Sequence, residues 1–272
     1  MICFPNAKIN LGLNITEKRS DGFHNIETIF YPVGWNDALE VIEAKDSVQE
    51  FNLHLSGLPI LGNTQDNLLY KAYQIIKQSK KLPHLNVYLY KTLPMGAGLG
   101  GGSADAAFFI NLLNNQFELN FTETERVEIA KQLGSDCAFF VKNSPVFASQ
   151  KGDVFTDIKL DLSHLYIAII YPNVHSNTKE AYSLVKPQQS NKSLLEVIKQ
   201  PILTWKNDLI NDFEASIFNL YPVVEKTKND LYELGALYAC MSGSGSAVFG
   251  LFETEPEIKM LSQFPNWIGK MK

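Results

Sequence analysis

The sequence is poor in the residues that build cross-links, metal cages and polyanion-binding faces. Three cysteines, Cys3, Cys137 and Cys240, are scattered through 272 residues. Without a C-x-x-C pair or a zinc spacing they are expected to be free thiols in a reducing compartment. His54, His84, His164 and His175 form no metal-ligand set, and no residue is assigned to a resident metal. Positive charge is not in excess: 24 Lys and Arg face 29 Asp and Glu, a net charge of −5. That gives no electrostatic case for a nucleic-acid partner, and an anionic ligand would need local cations and backbone N–H groups. The longest apolar run, "LYIAII" at 165–170, falls far short of the ~20 residues that span a bilayer. The opening "MICFPNAK" lacks the charged-then-apolar run of a signal peptide. These absences lead to the expectation of a cytoplasmic protein with no membrane partner.

Hydrophobic residues make up 45% and charged residues 19% of the chain, the balance of a folded globular protein. The length suits one large domain or two modest ones. In "AKINLGLNIT" (7–16), Ala7, Ile9, Leu11, Leu13 and Ile15 alternate with Lys8, Asn10, Gly12, Asn14 and Thr16. That period of two predicts a strand with Lys8 and Asn10 on one face. Residues 38–44, 86–93 and 165–172 are further strand candidates. Asp66 and Asn67 are candidate caps for a helix over "LLYKAYQIIKQ". "SADAAFFINLLNNQF" places Phe108, Leu112 and Leu113 on a helical period. "TETERVEIAKQLG" opens with a Thr122/Glu125 capping box and stops at Gly134. Helical segments are expected near 178–185, 193–199 and 222–234, followed by strand, Gly/Ser turn and strand in "LYACMSGSGSAVFGLF". Pro145 and "ASQKGD" mark a change of domain, giving 1–150 and 151–272. The alternation is too irregular for a doubly wound sheet, so the expected class is α+β.

The densest signal is "LPMGAGLGGGSA" (93–104), with five glycines in seven residues. Glycine loses the most conformational freedom on folding, so such a run needs a reason. Four readings compete. A flexible surface loop fits poorly between a strand and an Ala-rich helix. A Walker A loop would need lysine where Gly102 stands. A Rossmann G-x-G-x-x-G is matched by Gly96, Gly98 and Gly101, but Pro94 interrupts the strand-to-helix passage. The fourth is another phosphate-binding loop feeding a helix N-terminus, where successive N–H groups and the helix dipole attract an anion. Ser103 could then cap the helix, bind a phosphate oxygen or help hold Mg²⁺. Asp105 is either a favourable first-turn charge or a phosphate- or metal-linked group. Lys8 is a candidate source of the missing cation.

"PMGAGLGGGSADAA" resembles the ATP-binding glycine motif of the GHMP kinases. "AKINLGLNITEKRSDGFHNIETIF" (7–30), "LGSDCAFFV" (133–141) and "MSGSGSAVFGLF" (241–252) agree with that family in order and position. The N-terminal motif resembles the branch whose acceptor carries a cytidine diphosphate group. The resemblance implies a two-domain GHMP kinase fold. Its N-terminal domain would be like domain 2 of ribosomal protein S5, its C-terminal domain ferredoxin-like, with the site in the cleft between them. It implies ATP-dependent phosphorylation of a small-molecule alcohol on the non-mevalonate route to isoprenoid precursors, with Mg²⁺ accompanying ATP, in a monomer or homodimer.

The resemblance also implies residue roles. Pro94, Met95, Gly96, Ala97, Gly98, Leu99, Gly100, Gly101, Gly102, Ser103 and Ala104 would bind ATP. Asp136 would be the catalytic base, although its local sequence equally suits a cap after Gly134-Ser135. Lys8 would hold Asp136 and the acceptor hydroxyl and neutralise the transferring group. Asn10 would contact the acceptor. Phe23 and His24 match the aromatic–His pair that grips cytosine, with Phe where Tyr is common. Tyr182 falls where the second aromatic is placed. Thr178 is a further substrate contact, in a loop altered by Asn177. "SGSGS" (242–246) would be a second close-approach turn.

Overall fold

The computed structural model describes residues 1–45, 47–60, 62–190 and 192–271. Along the chain run β1 (Ile2–Cys3), β2 (Asn6–Lys18), β3 (His24–Asn36), β4 (Ala38–Glu43), β5 (Phe51–Gly57), α1 (Leu68–Lys77), β6 (Leu85–Lys91), α2 (Gly101–Gln116), α3 (Glu123–Lys131) and α4 (Ser135–Lys142). There follow β7 (Val146–Ser149), β8 (Val154–Asp157), β9 (Tyr166–Ile170), α5 (Thr178–Leu184), α6 (Leu194–Val197), α7 (Trp205–Asp208), α8 (Glu214–Leu220), α9 (Pro222–Glu233), β10 (Tyr238–Met241), β11 (Val248–Phe252) and β12 (Asn266–Lys270). This mixture is α+β. Backbone contacts divide it into two compact units that interleave in sequence. The first is Met1–Ala7, Trp35–Met95 and Gly100–Asn143; the second is Lys8–Gly34, Gly96–Leu99 and Ser144–Lys272.

The first unit holds a sheet of order β1-β4-β6-β5, in which β6 is antiparallel to β4 and parallel to β5. The parallel pair needs a crossover, and α1 supplies it. Asn67 caps α1, its side chain accepting from the Leu69 N–H at 2.9 Å, and Leu69, Ala72, Tyr73 and Ile76 form the buried stripe. In β6, period two turns Leu85, Val87, Leu89 and Lys91 inward and Tyr88 and Tyr90 outward. A lysine is thereby committed to the interior. Helix α2 is buried on more than one side, and Phe109, rather than Phe108, is the fully buried ring. A single-stripe reading picks the wrong phenylalanine in a helix so enclosed. Helix α3 has the expected capping box, with the Thr122 hydroxyl accepting from the Glu125 N–H and Glu125 accepting from the Thr122 N–H.

The second unit holds two sheets, of order β2-β3-β7-β8 and β10-β11-β9-β12. The pairs in the latter are all antiparallel. One core joins Leu13 and Ile15 of β2 to Phe213 and Ile217, Val224 and Leu231, and Ala239, Met241 and Val248. Pro145 immediately precedes β7, and "ASQKGD" runs from β7 into the turn towards β8, with Gln150 and Gly152 at φ of 59° and 81°. In β2, Gly12 has φ of 68°. A Cβ there would press on Leu209 and Leu194, at 3.0 and 3.1 Å. Both constraints make glycine the residue that fits. Beyond it Leu13 bridges in parallel to Asn211.

Candidate active site

Lys8 and Asn10 of β2 are polar side chains in the interior, and each finds a partner. Lys8 and Asn10 are 3% and 1% exposed. The Lys8 ammonium donates to Asn10 Oδ1 at 2.6 Å, and Asn10 Nδ2 donates to Thr28 Oγ1 at 2.9 Å. Thr28 in turn donates to the Gly12 carbonyl at 2.5 Å. Lys8 Nζ also lies 4.9 Å from the Phe30 ring centroid. The ammonium is thus fixed in position by a relay that ends on the strand's own backbone. Thr28, within the quoted N-terminal stretch but assigned no role from sequence, completes that relay.

The glycine loop is locked against the second Gly/Ser turn. Gly96, Gly98 and Gly100 have φ of 66°, 79° and 73°, while the intervening Ala97 and Leu99 are 1% exposed. Small apolar anchors thus alternate with left-handed glycines. Leu99 accepts from the Lys8 N–H at 2.9 Å, and Ala97 accepts from the Ala247 N–H at 3.0 Å. Ser242 Oγ donates to the Gly98 carbonyl at 2.8 Å and lies 3.4 Å from Asn10 Oδ1. A Cβ on Gly98 would collide with the Ser242 carbonyl, and one on Gly96 would collide with the His175 ring. Part of the glycine requirement is therefore imposed by the protein's own packing. Gly102 differs: the nearest outside atom to its notional Cβ is 3.9 Å away, so a close approach there is left to something from outside.

In the first unit the loop leads from Pro94 and Met95 to α2, whose N-cap is Gly100 and carries no side-chain cap bond. Ser103 is therefore not the cap; it stands in the first turn, followed by the fully buried Ala104. Asp105 is not the expected first-turn charge. It is buried and accepts from Lys91 Nζ at 2.9 Å, while Lys91 also pairs with buried Asp37. Burial drives the Asp105 carboxyl upward, more strongly than the Lys91 charge pulls it down. Burial opposes the charge of Lys91, but the two carboxylates outweigh it and hold the ammonium above its usual range. Asp37 Oδ1 accepts from the N–H groups of Thr92 and Leu93 at 2.6 and 2.9 Å, just before the loop. Sequence reading missed this triad, whose signal is the lysine on the inward register of β6.

Asp136 lies in the first turn of α4, where Gly134 is the N-cap. The cap reading of Asp136 is thus corrected: the carboxylate is two residues past the N-cap and sits where the helix dipole favours negative charge. Its neighbour Cys137 is buried and its thiol is pushed up to about 11, against the Ser103 hydroxyl, which lowers it.

At the other end of β2 and β3, the His24 and Tyr182 rings stack at 4.8 Å and 16°. Tyr182 meets Phe213 edge-on at 4.8 Å. Burial, helped by the Lys18 charge, lowers the His24 pKa and favours the neutral ring. Phe23 is 60% exposed, with Lys151 Nζ 5.3 Å from its centroid. Thr178 begins α5, after Asn177 caps it by accepting from the Lys179 and Glu180 N–H groups. The Thr178 hydroxyl lies 2.9 Å from Ser244 Oγ, which ties this helix start to the second turn.

The chain matches the GHMP kinases N terminal domain over residues 67–144 and GHMP kinases C terminal over residues 195–266. It is 53% identical to the 4-diphosphocytidyl-2-C-methyl-D-erythritol kinase of Bacteroides fragilis, over 95% of this chain and 94% of that one. It is 47% identical to the same-named protein of Parabacteroides distasonis, over the full length of both. A crystal structure of 4-(cytidine 5'-diphospho)-2C-methyl-D-erythritol kinase superposes with a TM-score of 0.75 at 28% identity, covering 92% of this chain and 90% of that one. The Methanococcus jannaschii mevalonate kinase shares the fold, with a TM-score of 0.71 at 14% identity and coverage of 100% and 98%. Two domain matches, near-full-length identity and a common fold agree that this chain belongs to the GHMP kinases.

Proposed function

We propose that the protein transfers the γ-phosphoryl group of ATP to the 2-hydroxyl of 4-diphosphocytidyl-2-C-methyl-D-erythritol, a step towards isoprenoid precursors. The observation that carries this reading is identity of 47–53% with relatives of that name over nearly the whole chain. The buried, pre-positioned Lys8 and the left-handed glycines support it chemically. Phosphoryl transfer asks a protein for alignment, charge neutralisation and a destination for one proton. In this reading residues 94–104 hold the triphosphate, chiefly through the backbone N–H groups that follow Pro94. Asp136 takes the hydroxyl proton as the new O–P bond forms and the bond to ADP breaks. Lys8, steadied by Asn10, neutralises charge on the transferring group, and Asn10 helps to place the acceptor. Phe23, His24 and Tyr182 hold the cytosine, with Thr178 at its border.

Mg²⁺ would arrive on ATP and neutralise its outer phosphates, with the Ser103 hydroxyl as its contact. Among the described residues no three His, Cys, Asp or Glu side chains gather into a metal-holding group, so the donor set suits a phosphate-borne ion. The proposed assignment of residues 1–150 to ATP and 151–272 to the C-terminal domain follows the order of the two family matches. No helix among the described residues is long and apolar enough to cross a membrane, and the three cysteines are unpaired. A cytoplasmic monomer or homodimer suits both. A coupled ADP-release assay tests the function: turnover should require the cytidine portion of the acceptor. Equal turnover of an acceptor stripped of cytidine would refute the assignment.

A further inference from the structure

The second unit contains a pocket of ≈ 860 Å³ whose residues have no part in the proposed reaction. That volume is in the range of small-molecule sites. Its floor is Asn14 of β2, its apolar wall includes Leu184, Val185, Ile210 and Phe218, and Asp212 faces it from the segment before α8. Neither Lys8 nor Asn10 lines it; between Asn10 and Asn14 on β2, Gly12 lies close against Leu194 and Leu209.

One group on this floor is incompletely satisfied, and an acid stands beside it. Asn14 is 6% exposed, and among the described residues its Nδ2 is sealed from solvent without a hydrogen-bond partner. A buried amide donor left unpaired costs about 1–3 kcal/mol, which a native protein rarely accepts without a use. Asp212 is fixed on either side of it: its N–H donates to the Leu13 carbonyl at 2.8 Å, and its carboxylate accepts from the Ile15 N–H at 2.6 Å. Burial raises the pKa of that carboxyl, with the Ile15 N–H opposing. The other acids lining the pocket are already neutralised, Asp208 by Lys192 at 2.8 Å and Glu214 by Lys228 at 2.7 Å. Lys186 stands at the exposed rim.

We propose that this pocket is a second ligand site, for a small amphipathic amine carrying an oxygen acceptor beside its nitrogen, such as an α-amino amide or 1,2-amino alcohol. The ammonium donates to Asp212. The ligand oxygen accepts from Asn14 Nδ2, which reaches the cavity when the amide turns about its Cβ–Cγ bond. The apolar body packs on Leu184, Val185, Ile210 and Phe218. Asn211, beside Asp212, carries the site's wall to the second Gly/Ser turn: its Nδ2 donates to the Met241 and Gly243 carbonyls, both at 2.8 Å.

Three matched probes test this by ligand-observed NMR titration of the intact protein: L-leucinamide, 3-methylbutylamine without the oxygen, and N-acetyl-L-leucinamide without the charge. Saturable binding of leucinamide is expected, with each control at least about tenfold weaker, as loss of one charge-assisted or buried hydrogen bond implies. Asp212→Asn should weaken leucinamide by a similar factor. Ala215→Trp, at an exposed lining position, should abolish binding while leaving the melting temperature close to that of the parent. Absence of saturable leucinamide binding, equal binding of the acetylated probe, or binding unaffected by both substitutions would overturn the proposal. The readout is binding alone, so it is independent of the kinase assignment.

Discussion

Replacing Lys91 with methionine removes the cation from a buried three-membered cluster while keeping most of the side-chain stem. The exposures are 0% for the Lys91 side chain, 0% for Asp37 and 5% for Asp105. Breaking a buried pair by deleting one partner costs about 3–5 kcal/mol, because the remaining charge is stranded. Here two carboxylates are stranded together. At roughly 2–4 °C per kcal/mol for a chain of this order, the melting temperature at pH 7 should fall by about 6–20 °C. Asp105→Asn instead keeps an acceptor for Lys91 and removes the surplus negative charge, so it should cost no more than about 1 kcal/mol. The pH dependence has a defined sign. Burial holds the Asp105 pKa above its unfolded value, so the native state binds that proton more tightly. The associated stability is complete below the ordinary aspartate pKa of about 3.9 and declines as pH rises through the raised native value. Losing Lys91 raises the native value further. The deficit of Lys91→Met should therefore shrink between pH 7 and pH 5 as Asp105 takes up its proton. Thermal melts of parent and both variants at the two pH values measure this. A Lys91→Met melt within about 2 °C of the parent at pH 7, or a deficit unchanged at pH 5, would refute the reasoning.

Asp136→Ala should lower kcat by about 10²-fold or more in the ADP-release assay, as loss of a general base does, with the melting temperature nearly unchanged; unimpaired turnover would remove Asp136 from the mechanism. Gly98→Ala places a methyl group against the Ser242 carbonyl at a positive φ, so it should weaken ATP binding and lower the melting temperature together, checked by nucleotide titration and a thermal melt. Tyr182→Ala removes the ring stacked on His24 and should raise KM for the cytidine-bearing acceptor by tenfold or more, leaving KM for ATP within about twofold.

Where periodicity was strong, sequence and structure agree closely. The alternation over 7–16 lies within β2, and the expected helix at 222–234 is α9 to within a residue. Asn67 and the Thr122/Glu125 box cap their helices because short-range hydrogen bonding decides such positions. The strands β3, β7, β8 and β12 were not legible. Residues such as Glu27 and Thr28 interrupt an apolar pattern, and their place is settled by pairing with distant strands. The expected helix near 193–199 shortens to α6, and α7 and α8 were missed because stretches this short carry little periodic signal. The glycine loop was readable as a place of close approach, but its approaching partners were not. His175 and Ser242 come from far along the chain, and nothing local at 93–104 announces them. The Lys91 cluster was hidden for a similar reason: a lysine in a strand reads as solvent-facing until Asp37 and Asp105 are seen beside it.

Ser242 and Gly98, bonded side chain to backbone, are 144 residues apart in the chain. During synthesis the ribosome therefore releases the glycine loop long before its supports exist. A nascent chain ending near residue 237 would already possess every glycine from 96 to 102, yet lack the Ala247 amide and the Ser242 hydroxyl that brace them. The braced form of the loop would then be acquired late, only once residues 242–247 emerge, and termination before them would forfeit it.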